Sequence, residues 1–178
     1  MAKDENTYFF KMITIQGSHF AKVYNISEID DIYPGRRFVS RGKPFEWCQN
    51  YSDSGIPTPG ITLQNPVPMI HFCDNAIDLL MWYRIGMKSI SPWQEVYFFE
   101  ILPLSPVHKQ TCNDKNKLYQ CGAWHIEIIR QITIGEIFRI ASQEIKDNID
   151  EIINRYPDQN MMKIILYIQD NVIRKRQK

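Results

Sequence analysis

The sequence predicts a single α+β domain: an irregular, mostly antiparallel sheet with one central helix and a helical C-terminal tail. Three observations carry this expectation. Runs rich in aromatic and β-branched residues recur up to Ile132, as they do in pleated strands. Helical spacing of apolar residues is confined to one central segment and to the chain beyond Thr133. At 178 residues, with an apolar fraction of 44%, the chain has the size and the burial of one globular domain.

The elements follow in order. Tyr8 to Ile15 reads as a strand broken at Gly17, with His19 to Ile26 as its hairpin partner. Pro34-Gly35 marks a turn before a short strand at Arg37 to Ser40. From Gly42 to Pro68, prolines and glycines crowd a long loop, and loops of that length in a compact domain are functional or mobile. Met69 to Cys73 reads as a short buried strand, with Asp74 as the N-cap of the helix that follows. That helix presents Ala76, Ile77, Leu80 and Met81, and Gly86 is its expected stop. Glu95 to Leu102 is a strand ended by Pro103 and Pro106, and Val107 to Gln120 is a polar surface excursion. Trp124 to Ile132 is the last strand. Thr133-Ile134-Gly135-Glu136 matches the capping box, in which the Thr and Glu side chains each satisfy a backbone amide at a helix start. Helices are expected through Ile137 to Ala141, from Asn148 to Arg155, and from about Gln159 to Arg174. Residues 1–145 form the α+β domain, and the helices of 146–178 pack on it; the apolar last helix also suits a homodimer.

Charge and composition narrow the function classes. A net charge of +1 gives no general grip on nucleic acid or an anionic membrane. The basic tail Arg174-Lys175-Arg176-Gln177-Lys178 reads as a solvated helix end suited to the C-terminal dipole, the alternative being a targeting or phosphate-binding tail. The N-terminus has acids and no apolar core, so no secretory signal is expected. No stretch approaches the ~20 apolar residues of a membrane helix. An intracellular chain is expected, with Cys48, Cys73, Cys112 and Cys121 as thiols.

Four constellations could carry chemistry. His71 and Cys73 share one side of a strand, where a nucleophile–base pair seldom comes within reach, so a catalytic role would draw on His125 or Glu100. Arg36, Arg37 and Arg41, with Phe38 between them and Lys43, Phe45 and Trp47 after them, are the candidate binding surface. Arginine beside aromatics holds phosphate while stacking a base; the alternative is a half-buried strand with a cationic face. A nucleotide-binding or ADP-ribosyltransferase-like site can be sketched from Arg37 or His71, Tyr83 and Glu100. His108-x3-Cys112-x8-Cys121-x3-His125 supplies the donor set of a tetrahedral zinc site, but its spacing matches no standard finger, so no cofactor is expected and zinc is the alternative. No phosphate-binding glycine loop, G-x-S-x-G elbow or H-E-x-x-H motif is present in the sequence.

The order of elements, with Ile70-His71-Phe72-Cys73, a short helix ending in Trp82-Tyr83, Glu95 to Pro103 as EV-x-x-x-E-I-L-P, and Ile126 to Ile132, carries a resemblance across residues 8–142. It resembles the domain found ahead of ankyrin repeats in proteins of giant, Mimivirus-like DNA viruses of amoebae. It is also similar to a phage and bacterial domain of unknown function with a Phe-His-x-Cys segment. Ile70 stands where that segment carries Phe, and no T-P-L-H ankyrin signature follows residue 142. The resemblance implies a viral or host-directed accessory domain acting by protein interaction, and it supplies no catalytic residues.

Overall fold

The computed structural model describes residues 8–16, 19–41, 69–89, 96–111 and 119–156. In chain order these form β1 (Phe9–Thr14), α1 (His19–Val23), a 3-10 turn (Ile29–Asp31), β2 (Arg37–Val39), β3 (Ile70–Phe72), α2 (Ala76–Ser89), β4 (Val96–Pro103), β5 (His108–Thr111), β6 (Tyr119–Ala123), β7 (His125–Ile132), α3 (Ile134–Asp147) and α4 (Ile149–Arg155). The class is α+β, and every strand pairing is antiparallel. One sheet has the order β1-β4-β7-β2 and the other β3-β6-β5. Phe10 and Cys73 exchange both backbone hydrogen bonds, at 2.7 and 2.8 Å, and so join the edge of one sheet to the edge of the other.

In the four-stranded sheet β1 and β4 pack against a core on each face, while β2 leaves Arg37 and Val39 exposed. On β1 and β4, Phe10, Met12, Val96 and Phe98 enter a core under α2, α3 and α4. The alternate residues Phe9, Ile13, Tyr97, Phe99 and Ile101 enter a second core with α1, β3 and β6. A one-residue irregularity in β7 makes this double burial possible. Glu100 faces Arg130, whereas Ile101 faces Ile128, which leaves Ile129 as the extra residue of a bulge. Because a one-residue offset flips side-chain parity, Ile132 joins the helical core and Ile126 and Ile128 join the other.

Several expectations change. His19 to Val23 is a helix, not the hairpin partner of β1; that partner is β4. Phe20 and Tyr24, one helical turn apart, pack with Phe38 at centroid distances of 4.7, 5.2 and 5.0 Å, a cluster that an extended strand would pull apart, since at ~3.3 Å per residue it would hold the two rings roughly 13 Å from each other. Asn25, at φ 53, ends the helix in the left-handed region, where Ile26 N–H reaches the Ala21 carbonyl. Helix α2 runs through Gly86 to Ser89, since an interior glycine weakens a helix without stopping it. Pro103 is the last residue of β4, opposite Ile126. The polar excursion contains two paired strands, β5 and β6, because an edge hairpin needs apolar residues on one face only.

Other expectations hold. Pro34-Gly35 forms its turn, with Gly35 at φ 88 and Arg36 N–H donating to the Tyr33 carbonyl at 3.0 Å. The Thr133–Glu136 capping box is formed in both directions, at 3.2 and 3.1 Å. It starts α3, whose Ile137, Ala141 and Ile145 are buried at four-residue spacing. Ile152 and Tyr156 from and after α4 enter the same core. The expected loop at 42–68 and the expected helix at 159–174 lie outside the described residues. Among the described residues no helix is long and apolar enough to cross a membrane.

Candidate functional site

The densest group of titratable side chains surrounds the β3–α2 junction. Ile70 and Phe72 anchor β3 in one core while Cys73 and Ala76 enter the other, so the chain passes between two apolar bodies here. Asn75, rather than Asp74, caps α2: its side-chain oxygen accepts from Asp78 N–H at 2.8 Å, and its amide nitrogen donates to Asp78 at 2.7 Å and to Asp74 at 2.9 Å. The preceding amides of the first turn are taken from outside the helix. Glu144 of α3 accepts from Ala76 N–H at 2.8 Å and from Ile77 N–H at 3.0 Å, one with each carboxylate oxygen. Three acids thus meet at the positive end of the α2 dipole.

Asp78 is 1% exposed. It accepts from Arg155 Nη2, Tyr156 Oη and the Asn75 amide. Burial raises its pKa, and Arg155, Tyr156 and Asn75 oppose the rise. Burial pushes Tyr156 up as well. Glu144 is pushed up to about 7 by burial, against the pull of its two backbone donors. Its carboxyl therefore exchanges its proton near neutrality.

Lys11 reaches the other side of this junction from β1. It is 8% exposed, donates to the His71 carbonyl at 2.8 Å and lies 4.6 Å from the centre of the Phe20 ring. Burial lowers its pKa to about 8. Burial and then Lys11 lower His71 to about 3, so its imidazole is neutral in the physiological range. Cys73 is driven well above the usual thiol value by burial, with Asp78, Cys121 and Asp74 adding to it. A protonated, buried thiol is not a nucleophile.

The sequence-predicted residues divide among separate settings. Arg37, on β2, pairs with Glu127 at 2.7 Å and keeps 63% of its side chain exposed. Glu100 binds Arg130 at 2.9 Å, and Arg130 binds Glu136 at 3.0 Å, a chain of charges that ties β4 to β7 and to the start of α3. His71 belongs with Lys11. Of the four residues sketched as catalytic, Arg37, His71 and Glu100 are thus each held by a different partner. Arg36 donates to the carbonyls of Asp31 and Tyr24 and stacks 4.6 Å over Phe38, which is structural service to α1 and β2. Arg41 is exposed, 5.7 Å over Tyr24, whose hydroxyl donates to the Val39 carbonyl at 2.8 Å. Of the metal-ligand set, Cys121 lies inside the second core and His125 is half-buried on β7, one residue past the break at Trp124. Trp47 and Cys112 lie outside the described residues, as do the side chains of Tyr83 and His108. Among the described residues no group of three or more His, Cys, Asp or Glu side chains converges as metal ligands.

Sequence reasoning missed Lys11, Asp78, Glu144, Arg155 and Tyr156. Lys11 alone left a local signal, a cation at an alternate position with Phe9 and Ile13 in an otherwise apolar strand. The others meet across more than sixty residues of chain, as in Glu144 with Ala76 and Tyr156 with Asp78.

Two surface features complete the picture. Val39, Leu104 and Trp124 are large apolar side chains at 54%, 37% and 36% exposure. Backbone bonds gather their segments: Ser40 N–H to the Trp124 carbonyl at 2.7 Å, and Leu104 N–H to the His125 carbonyl at 2.9 Å. Ser105 Oγ accepts from the N–H groups of Trp124 and His125. Elsewhere, Ile15, Gln16, Ser27, Glu28, Ile29 and Tyr97 line a cleft of ≈ 240 Å³, below the usual size of a ligand pocket. Comparison with protein-family models, with curated proteins and with solved structures returns no match.

Proposed function

We propose that the chain is a protein-interaction module whose contact surface is the Val39–Leu104–Trp124 corner. The carrying observation is the exposure of these three large apolar side chains at the end of a sheet whose β1 and β4 pack against a core on each face. Exposed aromatic and aliphatic side chains held on a rigid strand turn are what an interface core requires. Arg37 and Arg41 flank the corner, so the partner is a protein surface with an apolar anchor and acidic neighbours. The buried acids and lysine serve the fold in this reading, because Lys11, Asp78 and Glu144 already hold intramolecular partners. The resemblance described above suits an accessory role in a viral or host-directed setting.

The test compares the wild type with Val39→Glu and Trp124→Ser in affinity purification with quantitative mass spectrometry. A partner that binds the purified wild type directly, and loses at least tenfold in affinity with both variants at unchanged unfolding midpoint, supports the proposal. Partners retained equally by both variants refute this surface. Turnover of a nucleotide or dinucleotide, abolished by His71→Ala or Glu100→Gln, replaces the module by the enzyme reading.

A further inference from the structure

We infer that Glu144 and the first turn of α2 form a proton-operated clasp that loosens the α3 layer from the rest of the domain as pH rises from the mildly acidic range to neutrality. The geometry supplies the charge conflict. Asp74, Asp78 and Glu144 converge on one helix end, where Arg155 is the cation bonded to the group. Arg155 of α4 and the hydroxyl of Tyr156 are both directed at Asp78, which also takes the Asn75 amide. Asp78 is therefore the carboxylate with the donors needed to stay ionised while buried. Glu144 accepts from two neutral backbone amides, with Asp78 and Asp74 facing it as like charges. Cys73, from the β3 end, faces Asp78 as a neutral thiol, and Lys11 lies beyond it. Asp78 is buried, and Asp74 and Glu144 are partly buried beside it. Among the described residues the guanidinium of Arg155 bonds Asp78, so Glu144, held by neutral amides and facing like charges, is the acid that takes up the proton.

The clasp is bidentate in the ionised state, yet ionisation sets the Glu144 charge beside Asp78 and Asp74 in a partly buried site. Opening α3 releases Glu144 to water, where its pKa returns from about 7 toward 4.5. The opened state then gains on the closed one as pH climbs from 4.5 to 7, and the gain levels off above that range. The change in opening constant is on the order of a hundredfold over the interval.

Hydrogen exchange of the Ala76 and Ile77 amides and of the α3 amides tests this between pH 5 and 8, after correction for intrinsic exchange. Opening in the wild type should rise by on the order of a hundredfold, and Glu144→Gln, neutral at every pH, should abolish the rise. Equal pH dependence in wild type and variant overturns the clasp. The side-chain carboxyl carbon of Glu144, followed by NMR in the wild type, gives a reading that needs no variant. A midpoint near 7 supports the inference, and a midpoint below 5 overturns it.

Discussion

Replacing Lys11 by Met removes a buried cation while keeping the length and apolar stem of the side chain. The pKa of Lys11 falls from 10.5 to about 8, with burial as the first cause. At 1.36 kcal/mol per unit, the charged form in the folded state is disfavoured by about 3 kcal/mol relative to the unfolded chain. Here the folded pKa of a base is depressed, so between pH 8 and 10.5 the unfolded chain binds more protons than the folded one. Stability from this group therefore rises with pH across that window, and the full cost of burying the charge is present below pH 8. The Met variant escapes that cost but leaves the His71 carbonyl without the 2.8 Å bond that Lys11 donates, a loss of about 1–3 kcal/mol. Urea unfolding of both proteins at intervals from pH 7 to 10.5 separates the two effects. Relative to the wild type the variant should lose about 3 kcal/mol between pH 7 and pH 10.5, going from level with it or ahead of it to behind it by the worth of the lost bond. Other groups that titrate there, including the tyrosines, are common to both proteins and cancel in the difference. Parallel stability curves would refute the reasoning, because they would place the ammonium in water in the folded state.

Asp78→Asn leaves Arg155 near a neutral amide in the core. The loss of one partner of a buried pair should cost about 3–5 kcal/mol, read as a lowered urea midpoint at unchanged slope. Cys73 and Cys121, at 3% and 2% exposure, should resist alkylation in the native protein at pH 8. Both should react within minutes in denaturant; rapid native labelling of either, followed by peptide mass spectrometry, would contradict the described core.

The way the fold follows from the chain differs by element. The Thr133–Glu136 box, the Pro34-Gly35 turn and the strands at Phe9–Thr14, Val96–Pro103 and His125–Ile132 were legible because each rests on residues a few positions apart. The helix at His19–Val23 was misread because five residues with aromatic and β-branched members carry too little periodicity to separate helix from strand. Its state is set by Phe38, which Phe20 and Tyr24 must meet together. The paired β5 and β6 were hidden for a related reason: their partners are each other and β3, and composition alone reads as a polar loop.

The sequence by itself determined the α+β class, the capped start of α3, the strand–helix order at Ile70 to Met81, and the lack of a general charge for nucleic acid. Those properties reside in composition, in periodicity and in capping residues adjacent along the chain. Tertiary structure decided which acids meet. Glu144 became the cap of a helix sixty-seven residues before it, and Asp78 the anchor of a tyrosine seventy-eight residues later. It also divided the predicted Arg37, His71 and Glu100 among Glu127, Lys11 and Arg130. The physical reason is that a buried charge is defined by what packs around it, and two sheets joined through Phe10 and Cys73 set those neighbours independently of distance along the chain.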